Sequence, residues 1–216
     1  MSSLPHCAGL MNKLFSLSVC LIGSAFLSGA VAAADAPLAV VRSSTDQALQ
    51  VLTDSSGGGN RPSQQQLDKM WAIVLPHFDT QELAQRALGV NWQKLTDEQQ
   101  QEFTSLFIEL IKNSYSDTLK RYSKEAKISF DQEHIEGDRA EVQTHILSPA
   151  QSAPFSVVYR LHRKGEGWLI YDVVAENVSL VQNYRNQFAR IMAKSSGAGL
   201  IDALKRKIAE LKATQT

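Results

Sequence analysis

Imidazoles, thiols and carboxylates are the side chains that could hold a metal or move a proton, and this sequence spaces them poorly for either task. Both cysteines, Cys7 and Cys20, fall within the first 34 residues. A chain starting at Asp35 therefore has no thiol nucleophile and no disulfide. Four histidines follow: His77, His134, His145 and His162. Zinc sites gather imidazoles at tight local spacings or from facing elements. No H-x-H or H-x-x-x-H spacing occurs, so only an alignment of His145 with His162 across paired strands would bring two together. Solvated positions on a sheet face are the simpler expectation, and no metal is assigned. Neither a G-x-S-x-G elbow nor an H-E-x-x-H, C-x-x-C or dinucleotide glycine set occurs. The triplet Gly57-Gly58-Gly59 lacks the following Lys-Ser/Thr and the preceding strand of a phosphate loop.

One carboxylate is worth weighing. In YDVVAENVSLVQNYRNQF (Tyr171–Phe188), Asp172 interrupts an apolar strand-like run. Burial would raise its pKa and could make it a general base, as in a ketosteroid-isomerase-like enzyme. The alternative is a structural carboxylate bonded to backbone or to an arginine such as Arg185. A lone carboxylate without a positioned partner seldom suffices for catalysis, so the structural reading is preferred and no catalytic residue is assigned.

The elements that would position these groups are punctuated by helix-start signals. Ser63 with Gln66, Asp79 with Glu82, Thr96 with Gln99 and Ser179 with Gln182 each fit a side chain capping the third residue on. With a first helix over Pro37–Leu52 and a last one after Ser195-Ser196-Gly197, they predict six helices, the longest reaching about Tyr122. A flexible connector, Ser55–Ser63, follows the first helix. Four strand-like runs are expected, Lys127–Ile135, Arg139–Leu147, Phe155–Arg163 and Trp168–Val174, joined by short Gly-containing turns and one looser link into an antiparallel meander. Ala140, Val142, Thr144 and Ile146 alternate onto one face, as do Phe155, Val157, Tyr159 and Leu161. The fourth run is apolar on both faces and should be covered on both sides. Val178 falls in the short connection to the next helix.

Residues 1–34 read as a cleaved secretory signal peptide and 35–216 as a single domain. Lys13 is the one charge before Asp35, and LFSLSVCLIGSAFLSGAVAAA between them ends in the small residues such signals favour. Met11 is an alternative start, and a retained anchor is the rival reading. Without Lys13, 21 basic residues face 22 acidic ones. That balance argues against a broad electrostatic footprint for nucleic acid or an anionic membrane.

The aromatic residues at helical or strand period, among them Trp71, Phe103, Phe107, Tyr115, Phe155, Tyr159, Tyr184 and Phe188, either fill a core or wall a hollow. Sequence alone leaves both open. Periodicity makes Phe107, Leu110, Val142, Ile146, Val157 and Tyr159 candidate walls of an apolar pocket.

Two stretches, LGVNWQKLTDEQQQEFTSLFIELIKNSYSDTLKRY (Leu88–Tyr122) and VVYRLHRKGEGWLIYDVVAENVSLVQNYRNQF (Val157–Phe188), resemble the MlaC, or toluene-tolerance, family of periplasmic proteins. The Y-D-V-V-A-E-x-V-S-L run followed by N-Y-R-x-Q-F carries most of that resemblance. One departure is Asn177, where the family usually has Gly; Asn tolerates positive φ better than most residues. The resemblance implies an α+β fold, NTF2-like or cystatin-like overall, in which a curved four-stranded antiparallel sheet and six to seven helices enclose a lipid pocket. It also implies a periplasmic, non-enzymatic phospholipid carrier that maintains outer-membrane lipid asymmetry without a cofactor. Implied partners are an inner-membrane ABC transporter with an MCE-domain protein and an outer-membrane lipoprotein–porin complex. The family's lipid contacts carry over to Tyr115, Phe155 and Val178. A periplasmic adaptor with a filled core is the remaining alternative.

Overall fold

Capping chemistry fixes where the helices begin. The Ser63 side chain accepts the Gln66 N–H while Gln66 Oε1 accepts the Ser63 N–H at 3.0 Å. Thr96 and Gln99 exchange the same pair of bonds, and Asp79 and Ser179 accept the N–H of Glu82 and Gln182. Each bond satisfies an amide that a helix start leaves without a partner. The computed structural model describes residues 36–54, 62–122, 126–147 and 153–214. The leader and most of the Ser55–Ser63 connector lie outside them.

Six α-helices result: α1 (Pro37–Thr53), α2 (Gln64–Val74), α3 (Thr80–Leu88), α4 (Asp97–Tyr122), α5 (Leu180–Met192) and α6 (Gly197–Thr214). Between α4 and α5 run β1 (Lys127–Glu136), β2 (Arg139–Leu147), β3 (Phe155–Lys164), β4 (Gly167–Ala175) and a two-residue β5 (Val178–Ser179). The sheet is antiparallel in sequence order. It has five strands where four were expected, because Val178 and Ser179 turn back and pair with Ala175 and Val174. That return needs two residues in the left-handed region, Glu176 at φ 47° and Asn177 at φ 65°. Asn177 thus occupies a position where Gly would be unstrained.

Register places paired residues on a common face. Ile128 and Phe130 of β1, Val142, Thr144 and Ile146 of β2, and Phe155, Val157 and Tyr159 of β3 share the apolar one. Bulges near Asp131 and Tyr171 add to the local twist. The polar intruder on that face, Thr144, donates its hydroxyl to the Val157 carbonyl at 3.0 Å, so it is buried without penalty. α1 lies over one end of this face, where Val41 packs with Ala140, Val142, Leu161, Trp168 and Ile170. Its first turn lacks a side-chain cap of its own, and the Leu38 N–H donates instead to Glu133 Oε1 on β1.

The helices form a second apolar layer. Phe103, Phe107, Tyr184 and Phe188 interlock with ring centroids 4.9 to 5.8 Å apart, most of them edge to face. Leu83, Leu88, Trp92, Leu200 and Leu204 complete that cluster. A third cluster joins α1 to α2 through Ala48, Leu52, Leu67 and Met70. β4 is covered on both sides as its composition predicts, by α3 and α5 on one and by Val41 of α1 on the other. α3 is firmly held: its Leu83, Ala84, Ala87 and Leu88 are among the most buried side chains. Asp79 at its N-terminus also donates its N–H to the Ile170 carbonyl. At its other end Gly89, at φ 58°, leaves room for Arg185, which donates twice to the Arg86 carbonyl at 2.8 and 2.6 Å.

Candidate functional site

The helical and sheet-side clusters are separate, bridged by partly buried residues such as Phe78. A domain of this size usually has one contiguous core. The break falls along α4. Over its first half the stripe Phe103, Phe107, Leu110 and Ile111 is buried. The same face continues through Ser114 and Tyr115, which are exposed, while burial moves round to Ser116 and Leu119. The chief packing partners of α4 are α6, α3 and α2, none of them a strand. Among the described residues, Ser114 and Tyr115 of that stripe therefore stay exposed, while Leu119 packs on the α1–α2 cluster.

The strand ends that border this stretch are set by connectivity. α4 leads into β1, so its C-terminal end lies by the start of β1. Register puts the end of β2, the start of β3 and the end of β4 at that same edge of the sheet. Ile146 pairs with Phe155 there, Val157 with Ala175, and Ala175 with Val178. Leu147 and Val178 are exposed for large apolar residues, Val178 at 59 %. This edge of the sheet is thus apolar at Ile146, Phe155 and Val178, a candidate mouth, with Leu147 on the opposite face and Tyr115 exposed toward the C-terminal end of α4.

Two phenols on these surfaces are partly enclosed by protein. Burial, and then the neighbouring Tyr184, push the Tyr115 phenol up, although 38 % of the residue is accessible. Burial alone pushes Tyr159 up to about 12, yet that residue too retains accessible surface. Tyr184 donates its hydroxyl to Ser114 at 3.4 Å. Ser116 Oγ is buried without a hydrogen-bond partner among the described residues.

The nine residues singled out from the sequence divide into two layers. Tyr115, Phe155, Val178, Ile146 and Tyr159 keep accessible surface. Phe107 and Val142 have none, and Leu110 and Val157 almost none. Register brings Val142, Ile146, Val157, Tyr159 and Phe155 onto one face, with Val178 at its edge, whereas Phe107 and Leu110 lie in the helical cluster. Leu147 escaped notice because it ends its strand on the polar parity, where an apolar residue carries no periodic signal.

Asp172 is a structural anchor. Only 3 % exposed, it accepts the Val181 N–H at 3.1 Å and the Ser179 hydroxyl at 2.7 Å, and it faces Arg160 Nη1 at 3.4 Å. The arginine partner is Arg160 and not Arg185, which is committed to α3. Its bonds to Ser179 and Val181 fix β5 and the start of α5. His145 and His162 lie at opposite ends of the β2–β3 pair, six residues apart along the strands or about 20 Å. His145 contacts Asp131, and His162 contacts the buried Asp79 at 3.1 Å beside Lys164 at 2.7 Å. Among the described residues no group of three His, Cys, Asp or Glu side chains converges as metal ligands would, and no helix is long and apolar enough to cross a membrane.

The sequence profile of the MlaC protein family matches residues 42–206. A similar protein is the intermembrane phospholipid transport system binding protein MlaC of Haemophilus influenzae, 24 % identical over 141 residues. That match covers 63 % of this chain and 65 % of the relative's length. The fold is shared with a phospholipid-binding protein from Ralstonia solanacearum, solved in complex with a phospholipid, at a TM-score of 0.74 and 24 % identity. The alignment spans 82 % of this chain and 99 % of that one. With three quarters of its length matched by the family profile, the chain belongs to the MlaC family.

Proposed function

We propose that this protein is a periplasmic phospholipid carrier. Its acyl chains enter the apolar mouth and its headgroup stays at the rim. The observation that carries this reading is the division of the apolar interior into a helical and a sheet-side cluster, with Tyr115 of α4 and Val178 at the sheet edge left exposed. The names of its relatives agree, since one belongs to a phospholipid transport system and another holds a phospholipid.

The energetics make the geometry useful. Exposing an acyl chain to water costs ~0.8 kcal/mol per CH₂, or about 12 kcal/mol for a sixteen-carbon chain, so a carrier must bury it. Apolar walls supply that burial without polar contacts that would have to break on release. Tyr115, Phe155, Val178, Ile146 and Tyr159 touch the cargo first. Phe107, Leu110, Val142 and Val157 back them. No reaction, metal or cofactor enters: Asp172, the carboxylate best suited to be a base, is occupied in holding β5 to α5. The cargo moves between inner and outer membranes and sustains outer-membrane asymmetry. Its docking partners are an MCE-bearing ABC transporter and a lipoprotein–porin complex. Residues 1–34 serve as the export signal.

Substituting Val178→Asp and Phe155→Asp places charge where acyl chains would pass, at positions that bear little of the core. The carrier reading expects the variants to fold and to lose most of the phospholipid that the unsubstituted protein extracts with. Full lipid load in both would sink the assignment of this mouth.

A further inference from the structure

α5 and α6 meet at the turn after Met192 and splay apart into a groove of about 460 Å³. Its floor includes Ile191 of α5 and Gly199 and Ala203 of α6, and its rim carries Arg190, Lys194 and Arg206. The rest of α6 handles its cations differently. Lys205 pairs with Glu102 at 2.7 Å, Lys207 with Glu210 at 3.2 Å, and Lys212 with Glu109. Among the described residues none of the three rim cations lies within ion-pair distance of a carboxylate. The whole chain balances 22 basic against 22 acidic residues, so three unmatched cations around one apolar floor are a local excess. Cations converging on a recess raise the local concentration of an anionic partner and speed its capture.

We infer that this groove docks an acidic segment of a partner protein. Its carboxylates would meet Arg190, Lys194 and Arg206, and an apolar side chain would rest on Ile191 and Ala203. A bilayer is a poorer fit: Ile191 and Ala203 are half-buried below the rim, while the large apolar side chains that project, Val90, Tyr115, Ile135, Leu147 and Val178, are elsewhere. Arg190 lies eleven residues after Ser179, about 15 Å along α5 from the apolar mouth. A partner seated in the groove therefore leaves the mouth open. The inference rests on the groove's own charge and shape, and it holds whether or not the mouth takes a lipid.

A photo-crosslinking amino acid at Gln187 on the rim, in the full-length protein made in its own cells, reads the occupant directly. The same group at Val90, exposed at 86 % and outside the groove, is the control. The expected adduct joins Gln187 to a peptide of another protein that carries net negative charge, at ten-fold or more the yield from Val90. Arg190→Glu with Arg206→Glu should cut that yield at least ten-fold, and Arg190→Gln with Arg206→Gln several-fold. Lys69→Glu, a single charge reversal on α2 and outside the groove, should leave it intact. Absence of an adduct, an adduct with lipid, a contacted peptide without acidic residues, or a yield that ignores charge reversal would each overturn the inference. Lipid extracted from the same samples reports separately on the carrier reading.

Discussion

Asp172 and Asp79 are both buried carboxylates, and each ties a helix start to the sheet. Replacing Asp172 with Ala would leave the Val181 N–H and the Arg160 guanidinium facing an empty site. Stranding a buried donor and a partly buried charge costs about 2–4 kcal/mol, to be read from urea denaturation. Asn would keep one acceptor and cost less. In either variant lipid loading should survive if the fold does, and an enzyme using Asp172 as its base would instead lose all turnover. Asp79 predicts a pH dependence. Burial alone would raise its pKa, but the Lys164 ammonium, the Glu82 N–H and His162 outweigh it and hold the group below its ordinary 3.8. A depressed carboxyl pKa stabilises the fold fully above the unfolded value, and the contribution is lost as pH falls through the folded one. Stability should therefore decline below about pH 4 in wild type and decline less in Asp79→Asn, measured as melting temperature against pH. Asn177 makes a smaller claim: at φ 65° Asn177→Val should destabilise by about 1–2 kcal/mol and Asn177→Gly by little.

At the scale of elements, α4 carries the architecture. Its N-terminal half is fixed by the aromatic cluster, so Phe103→Ala should cost about 3–5 kcal/mol, whereas truncating the exposed Tyr115 should cost well under 1 kcal/mol. Equal losses at both positions in chemical denaturation would contradict the division of the helix. Much of this level is legible in the sequence. The starts of α2, α3, α4 and α5 are marked by a Ser, Thr or Asp with Gln or Glu three residues on, and alternation alone assigns the apolar faces of β2 and β3. The two-residue β5 was not legible, because pairing of Val178 depends on two positive-φ residues and on Asp172 reaching Ser179. Nor was the firmness of α3, which comes from contacts with β3, β4 and α5 distant in sequence. Likewise Phe107 and Leu110 share the period of Tyr115, and period cannot tell a packed stretch of a stripe from an open one.

For the molecule as a whole, the central feature is an apolar interior divided into a helical cluster and a sheet-side cluster. Sequence composition fixes how much apolar surface a chain carries but not whether that surface meets itself, and so a filled and a hollow core read alike until register and helix placement are known. The MlaC family membership favours the hollow reading. Native mass spectrometry of the protein purified without detergent, followed by organic extraction, tests this most directly. A carrier should show a stoichiometric excess mass that extracts as phospholipid and shrinks in the Val178→Asp variant. A bare polypeptide mass that persists after incubation with phospholipid vesicles would contradict the account and leave a filled-core adaptor in its place.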